Sequence, residues 1–304
     1  MTIDLAGAPV SFGVFELTDP GSLGSLPTAD RVCEVLAEAG YAGVDLGPAG
    51  FLGEGSELEL RLRRFGLGLA GGWIDLPFSD DELFENSLPG LNRVLELFTS
   101  GAAAPSPRAP KPTLADSGDT TRRDRPGGGF GASLSPERLE AFARNVTVAA
   151  ERVRGAGFEP TFHHHMGTYI ETPDEIDAFL AATDIDLTFD TGHLLLGGGD
   201  PLRDWKRWAS RINHLHVKDV DLSVLQAVQA RGGNMVDVWA SGAFVPVGDG
   251  DLALAEFVQE IIADGYQGWL VIEQDVLPTP DTSTGKLESD QILNIERLTA
   301  LMHR

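Results

Sequence analysis

The 304-residue chain is 42% hydrophobic and 23% charged, the balance of an ordinary folded protein with enough apolar material for a large core. Its 46 acidic and 23 basic residues give a formal charge of −23, which repels nucleic-acid phosphates and anionic membrane surfaces and makes both poor partners. Cys33 is the only cysteine, which excludes an intrachain disulfide or thiolate metal cluster and fits a reducing, cytoplasmic compartment.

The start of the chain, MTIDLAGAPVSFGVFE, has neither a basic leader nor a long apolar stretch, and no run elsewhere approaches the roughly 18 residues of a membrane span, so a soluble, untargeted protein is expected. The run 8–15 reads as the first strand, and further strands are expected at 43–47, 67–73, 111–115, 159–164, 185–190, 211–217 and 268–273. Several of these are continuous apolar runs, as strands buried on both faces are. Gly40 closes the first helix. Residues 101–131, rich in Ala, Pro, Gly, Arg and Asp, read as an irregular, mobile excursion around the short strand KPTLAD; the alternative is a cover for a site carrying Arg122, Arg123 and Arg125. Leu139, Phe142, Val146, Ala149 and Val153 then recur at helical spacing, with Ser135 as N-cap, Pro136 at the first position and Gly155 past the end. Thr172-Pro-Asp-Glu175 is a capping box, Asp200-Pro201 opens another helix, and Gly265 ends one more. About eight strand–helix units without an internal break predict a single α/β domain over 1–304, a (β/α)8 barrel of parallel strands with outer helices.

In such a barrel, chemistry resides at the C-terminal ends of the strands. The fifth strand ends in Thr161-Phe-His-His-His-Met-Gly; alternation puts His163 and His165 on one face and His164 on the other. The sixth ends in Asp190 followed by Thr-Gly-His193, an oxygen ligand beside an imidazole, although a carboxylate there also caps turns. The seventh places His214, His216 and Lys218 in one row, His216 being the better metal candidate because it lies nearer the strand end. The eighth buries Trp269 and Val271 and presents Glu273 on the same side, where a buried carboxylate needs a cation: a metal ion, or Lys218. One divalent ion is the simplest object that satisfies His, Asp and Glu side chains at four consecutive strand ends, and Mn, Co, Mg and Zn all suit such donors.

FDTGH, HLHVKD and WLVIEQD, in this order and spacing, resemble the xylose-isomerase-like barrel superfamily of sugar isomerases and epimerases over nearly the whole chain. Within it, HHHMGTYIETPDEID and GAFVPVGDGDL are similar to inosose (2-keto-myo-inositol) dehydratases, while 101–131 departs from the pattern. The resemblance implies metal ligands Asp190, His216 and Glu273, with His163 standing where the family usually has its first Glu. It further implies that His193 contacts substrate oxygens and that Glu16 and Trp73 line the pocket, where His165, on the same strand face as His163, is a further substrate-binding candidate; the structural alternative for Trp73 is plain core. With one of the two metal-bound carboxylates replaced, a one-sided reaction becomes easier to accept than epimerisation.

The expected activity is therefore metal-dependent removal of water from a small polyhydroxylated carbonyl compound, a keto-cyclitol or keto-sugar, with an enolate stabilised by the metal. Glu273 is the expected base, and His193 or Lys218 the acid. The rivals are a sugar isomerase or epimerase using the same site, a metal-free aldolase with Lys218 as Schiff-base nucleophile, and a non-catalytic barrel; the charge argues against a DNA-repair endonuclease of this fold. A homo-oligomer is left open.

Overall fold

The computed structural model describes residues 3–15, 26–129, 133–279 and 282–303. Among the described residues there are eleven strands: β1 (Ile3–Gly7), β2 (Gly43–Val44), β3 (Gly68–Leu69), β4 (Gly71–Leu76), β5 (Lys111–Asp116), β6 (Thr161–His163), β7 (Leu187–Asp190), β8 (Ile212–Val217), β9 (Asp219–Val220), β10 (Phe244–Val245) and β11 (Gly268–Ile272). Nine form one parallel sheet in the order β3-β2-β1-β11-β8-β7-β6-β5-β4. The two ends of that order, β3 and β4, are halves of a single strand split at Ala70, whose N–H and C=O still bond Val44 and Lys111 on either side. The sheet therefore closes on itself as an eight-position barrel.

Around it run α1 (Ala29–Ala39), α2 (Ser56–Phe65), α3 (Asp81–Ala102), α4 (Thr120–Asp124), α5 (Pro136–Gly155), α6 (Pro173–Ala182), α7 (Thr191–Leu196), α8 (Pro201–Trp208), α9 (Leu222–Ala230), α10 (Met235–Ala240), α11 (Leu254–Ala263) and α12 (Thr284–Met302). Among the described residues no helix is long and apolar enough to cross a membrane. Ser135 accepts from the Arg138 N–H, Glu175 bonds back to the Thr172 N–H at 3.0 Å, and Asp200 caps α8, so the local starts read from sequence hold. Gly40 and Gly265 adopt positive φ past α1 and α11 as expected.

The main apolar layer lies between sheet and helices, where Phe162 stacks on Phe179 at 4.1 Å between ring centroids. Inside the barrel, Ala6, Ala8, Ala70 and Val271 pack with Trp269, and a Cβ on Gly43 would approach that indole to 2.7 Å, so the absence of a side chain there makes room for it. Trp269 and Val271 thus face inward, which places Glu273 above them.

Three expectations are corrected. The first strand is Ile3–Gly7, not 8–15: Pro9 cannot donate to the ladder and instead opens a 3-10 turn over Pro9–Phe12 that ends at Gly13 with φ 80°. Gly155 still belongs to α5, and Gly157, with φ 90°, takes the left-handed position. The 101–131 excursion is more anchored than a loose loop: β5 sits between β4 and β6, α4 follows, and Arg122 is fully buried against Glu171 and Glu175.

Candidate active site

A cavity of about 230 Å³ lies at the C-terminal ends of the strands. It is floored by His163, His216 and Glu273, walled on one side by Trp73 and Asp75 from β4, and covered by Met235 and Trp239 from the α9–α10 segment. That segment is inserted between β9 and β10, which pair antiparallel at its base, and it carries its own apolar cluster including Met166, Val220, Val228 and Phe244.

His163 and His216 stand on β6 and β8, on either side of β7, which ends at Asp190. The structure gathers their ligand atoms within 4.8 Å of one another. His163 Nε2 lies 3.2 Å and His216 Nδ1 3.8 Å from Asp190 Oδ2, and Glu273 Oε2 lies 3.0 Å from His216 Nδ1. Asp190 Oδ2 and both nitrogens of His216 are nevertheless buried without a hydrogen-bond partner among the described residues. Imidazole nitrogens and carboxylate oxygens gathered this closely in a buried place, with Asp190 Oδ2 and His216 lacking a well-formed hydrogen bond, suit a shared cation, so the residues fit a divalent ion.

The electrostatics agree with a donor set. Burial lowers the His163 pKa despite the neighbouring Asp190, leaving a neutral ring with a lone pair to give. Burial opposes the charges of Asp190 and Glu273, yet Lys218 on Asp190, and His216 with Lys218 on Glu273, outweigh it and hold both carboxyls ionised. His216 alone of these rings is raised, since burial is outweighed by Glu273 and Asp190; an incoming metal would displace that proton.

Asp190 does both jobs that the sequence left open: Oδ1 caps α7 by accepting from the His193 N–H at 2.8 Å, and Oδ2 turns to the histidines. Its own N–H donates to His164 Nε2 at 3.3 Å, so the middle histidine of the triplet orients the carboxylate from behind. His165 and His193 face the other way across the site with ring centroids 3.6 Å apart, and together with Asp275 they bring a second set of ligand-type atoms within 4.8 Å. His165 Nδ1 donates to the Met166 carbonyl at 2.6 Å, which leaves Nε2 for a ligand. Burial pushes both rings well below their usual pKa.

Lys218 is the positive charge at the centre. Its Nζ lies 3.3 Å from Asp190 Oδ2, 3.0 Å from Glu273 Oε2, 2.9 Å from Asp275 Oδ1 and 3.1 Å from His193 Nε2. Burial would lower its pKa, but Asp190, Asp275 and Glu273 outweigh that and raise it well above the usual value. Held as an ammonium by these carboxylates, Lys218 is a poor nucleophile and has a proton to give, which argues against the Schiff-base reading of this residue. The strand end is fixed by Thr191, whose hydroxyl bonds both the Lys218 C=O and N–H, and by Gly192, where a Cβ would come 2.6 Å from that of Lys218.

Trp73 is half-buried rather than core and stands edge-on to His163 and His165 at 5.3 and 5.1 Å. Glu16, expected in the pocket, lies outside the described residues. Sequence reasoning missed Asp275, Asp75, Asp219, the bond by which His164 holds Asp190 from behind, and the apolar cover. Asp275 carried a usable signal, being two residues beyond Glu273. Asp219, next to Lys218, accepts four backbone N–H bonds, from Val220, Gly248, Gly250 and Leu252, and so pins the VGDGDL loop beside the site.

Comparison with known proteins agrees with this architecture. The chain is 32% identical over 291 residues to the rhizopine catabolism protein MocC of Rhizobium meliloti, covering 91% of this chain and 83% of the relative. It is 30% identical to an inosose dehydratase of Geobacillus kaustophilus, over 89% and 87% of the two chains. Among solved structures, the IOLI protein with a bound zinc atom superposes with a TM-score of 0.70 over 99% and 98% of the two chains at 9% identity, a likeness of fold. The family model described as a xylose isomerase-like TIM barrel matches residues 117–288, the stretch that supplies His163, Asp190, His216 and Glu273. With its closed eight-position barrel and its site at the strand ends, the chain belongs to the xylose isomerase-like TIM-barrel family.

Proposed function

We propose that this protein is a divalent-metal-dependent lyase that removes water from a keto-cyclitol or keto-sugar of the inosose type. The observation that carries the reading is the convergence of His163, Asp190 and His216, with Glu273 3.0 Å from His216 and with Asp190 Oδ2 and the His216 nitrogens buried without a hydrogen-bond partner among the described residues, at the floor of a cavity sized for one small ring. The inosose dehydratase relative supports the reaction class, and the zinc of the IOLI protein supports a metal in this fold. Mn, Co, Mg and Zn all suit two imidazoles and two carboxylates. Such an ion, when bound, supplies Lewis-acid polarisation of the substrate carbonyl, worth several kcal/mol.

The residues of the chain do the rest. Glu273, with Oε2 3.0 Å from both His216 Nδ1 and Lys218 Nζ, takes the proton α to the carbonyl on Oε1. The electrons of that C–H bond form the new double bond as the β C–O bond breaks. The hydroxyl leaves as water on receiving a proton, delivered by Lys218 or by His193, 3.1 Å apart. His165 and Trp73 bound the space the ring occupies, and Trp239 and Met235 keep bulk water away from it. One buried cysteine and the absence of any spanning helix among the described residues are consistent with work in the cytoplasm.

Metal analysis of the purified protein and of single Ala variants at His163, Asp190, His216 and Glu273, followed by mass spectrometry after incubation with a keto-cyclitol, tests the proposal. Near-stoichiometric metal in the wild type, loss of metal in the variants and a product lighter by one water are expected. A product of unchanged mass would move the assignment to isomerisation or epimerisation at the same site, and a protein that takes up no metal on reconstitution would end the metal-dependent reading.

A further inference from the structure

β4 alternates cleanly: Ile74 and Leu76 are buried in the apolar layer under the helices, while Trp73 and Asp75 line the cavity. Asp75 is exposed to that space, and its side chain makes no hydrogen bond or ion pair among the described residues. In the closed ring, the β3/β4 strand is separated from β8 by β2, β1 and β11 on one side and by β5, β6 and β7 on the other. Asp75 therefore stands diametrically across the barrel from His216 and Lys218.

The two sides are chemically unlike. On the β8 side, Lys218 and the ligand cluster can receive a carbonyl oxygen. On the β4 side there is an indole and, one inward position further along, a carboxyl group whose two oxygens make no hydrogen bond among the described residues. A carboxylate accepts hydrogen bonds and offers none, so it selects for donors, and adjacent hydroxyls of a polyol present two donors at matching spacing. The indole beside it offers apolar area to the C–H face of a ring. Lys218, already shared by Asp190, Glu273 and Asp275, is not free to neutralise a charged substituent at the far side.

We infer that Asp75 is a specificity-determining residue, anchoring vicinal hydroxyls of a ring packed against Trp73 and thereby fixing which carbon of the polyol is presented to Glu273 and Lys218. This rests on the polyol reading above. It adds that the ring is held at two opposed points, and that an anionic group in place of those hydroxyls is rejected.

The test measures equilibrium binding by calorimetry, with metal-reconstituted protein and two probes, myo-inositol and a myo-inositol monophosphate. The wild type should bind myo-inositol in preference to its phosphate. Asp75→Ala should weaken myo-inositol binding by about 10- to 100-fold, the range for hydrogen bonds to a charged group, with Asp75→Asn between the two. Because Asp75 is exposed, both variants should melt with the wild type, which separates lost recognition from lost folding. With a turned-over keto-cyclitol, the substitution should raise KM far more than it lowers kcat and should broaden the set of accepted hydroxyl configurations. Unchanged myo-inositol affinity in Asp75→Ala, or a wild-type preference for the phosphate, would overturn the inference. The proposed reaction fails separately: normal Asp75-dependent binding without water loss would leave the anchoring role standing and remove dehydration.

Discussion

Asp190 and His193 are tied at 2.8 Å by the bond from the His193 N–H to Asp190 Oδ1, so the residue that starts α7 is also the one whose second oxygen meets His163 and His216. Cap and ligand can be separated by substitution. Asp190→Asn keeps an acceptor for the cap and removes the charge, so metal content should collapse. Asp190→Ala should lose metal equally and in addition at least about 1 kcal/mol of stability, the value of a helix cap. Metal analysis paired with urea titration reads both effects, and full metal content in Asp190→Ala would remove Asp190 from the ligand set.

Lys218 is the counter-charge of three buried carboxylates. Lys218→Met leaves them facing one another and should cost about 3–5 kcal/mol, the range for breaking a buried ion pair on one side. Lys218→Arg should recover part of that. Borohydride treatment with a ketone substrate in the presence of chelator should leave Lys218 unmodified; a trapped adduct would reopen the Schiff-base mechanism.

Two carboxyls away from the ligand cluster set a pH dependence. Burial raises Asp116 to about 7 and, against the pull of Arg122, Glu171 to about 7. Both hold protons more tightly in the folded chain than unfolded, so their contribution to stability is complete below an ordinary carboxylate pKa of about 4 and is lost as pH rises through about 7. The wild type should therefore gain less stability, or lose more, between about pH 4 and about pH 8 than Asp116→Asn or Glu171→Gln. Urea midpoints across that range check it, and parallel curves for wild type and variants would contradict it.

Arg122 is fully buried between Glu171 and Glu175, bonding Glu175 through both terminal nitrogens at 2.9 and 2.5 Å and the Thr168 carbonyl at 3.0 Å. Arg122→Met should cost about 3–5 kcal/mol by stranding the two glutamates. Adding Glu175→Gln should restore part of it. Limited proteolysis should then cut the 117–129 stretch faster in Arg122→Met than in the wild type, because these ion pairs fasten α4 to the first turn of α6 and to the loop before it.

The legible features were those in which one residue type admits one role. Alternation assigned His163 and His165 to the cavity and His164 away from it, and parity put Glu273 above Trp269 and Val271. The caps at Ser135, Thr172 and Asp200 were equally plain. The first strand was missed because GAPVSFGVF is more apolar than IDLAG, whose Asp4 is paired at the barrel edge with Arg108. Arg122 looked like a surface charge because its two acidic partners lie some fifty residues away in sequence, at 171 and 175, and only folding brings them together. Met235 and Trp239 gave no signal: a helix with an apolar face reads the same whether it covers a core or a ligand.

The α9–α10 cover hangs from a narrow base, closed by the β9–β10 pairing and by Asp219, which gathers four backbone N–H groups of the adjoining turns. Much of what braces this stem is main chain held by one aspartate, while Met235 and Trp239 from the cover line the cavity. Such a part is exchangeable. A lineage could replace Met235, Trp239 or both helices wholesale and inherit the floor of His163, Asp190, His216 and Glu273 intact, so new substrates would arise by grafting at the lid while the reactive centre stayed as it was.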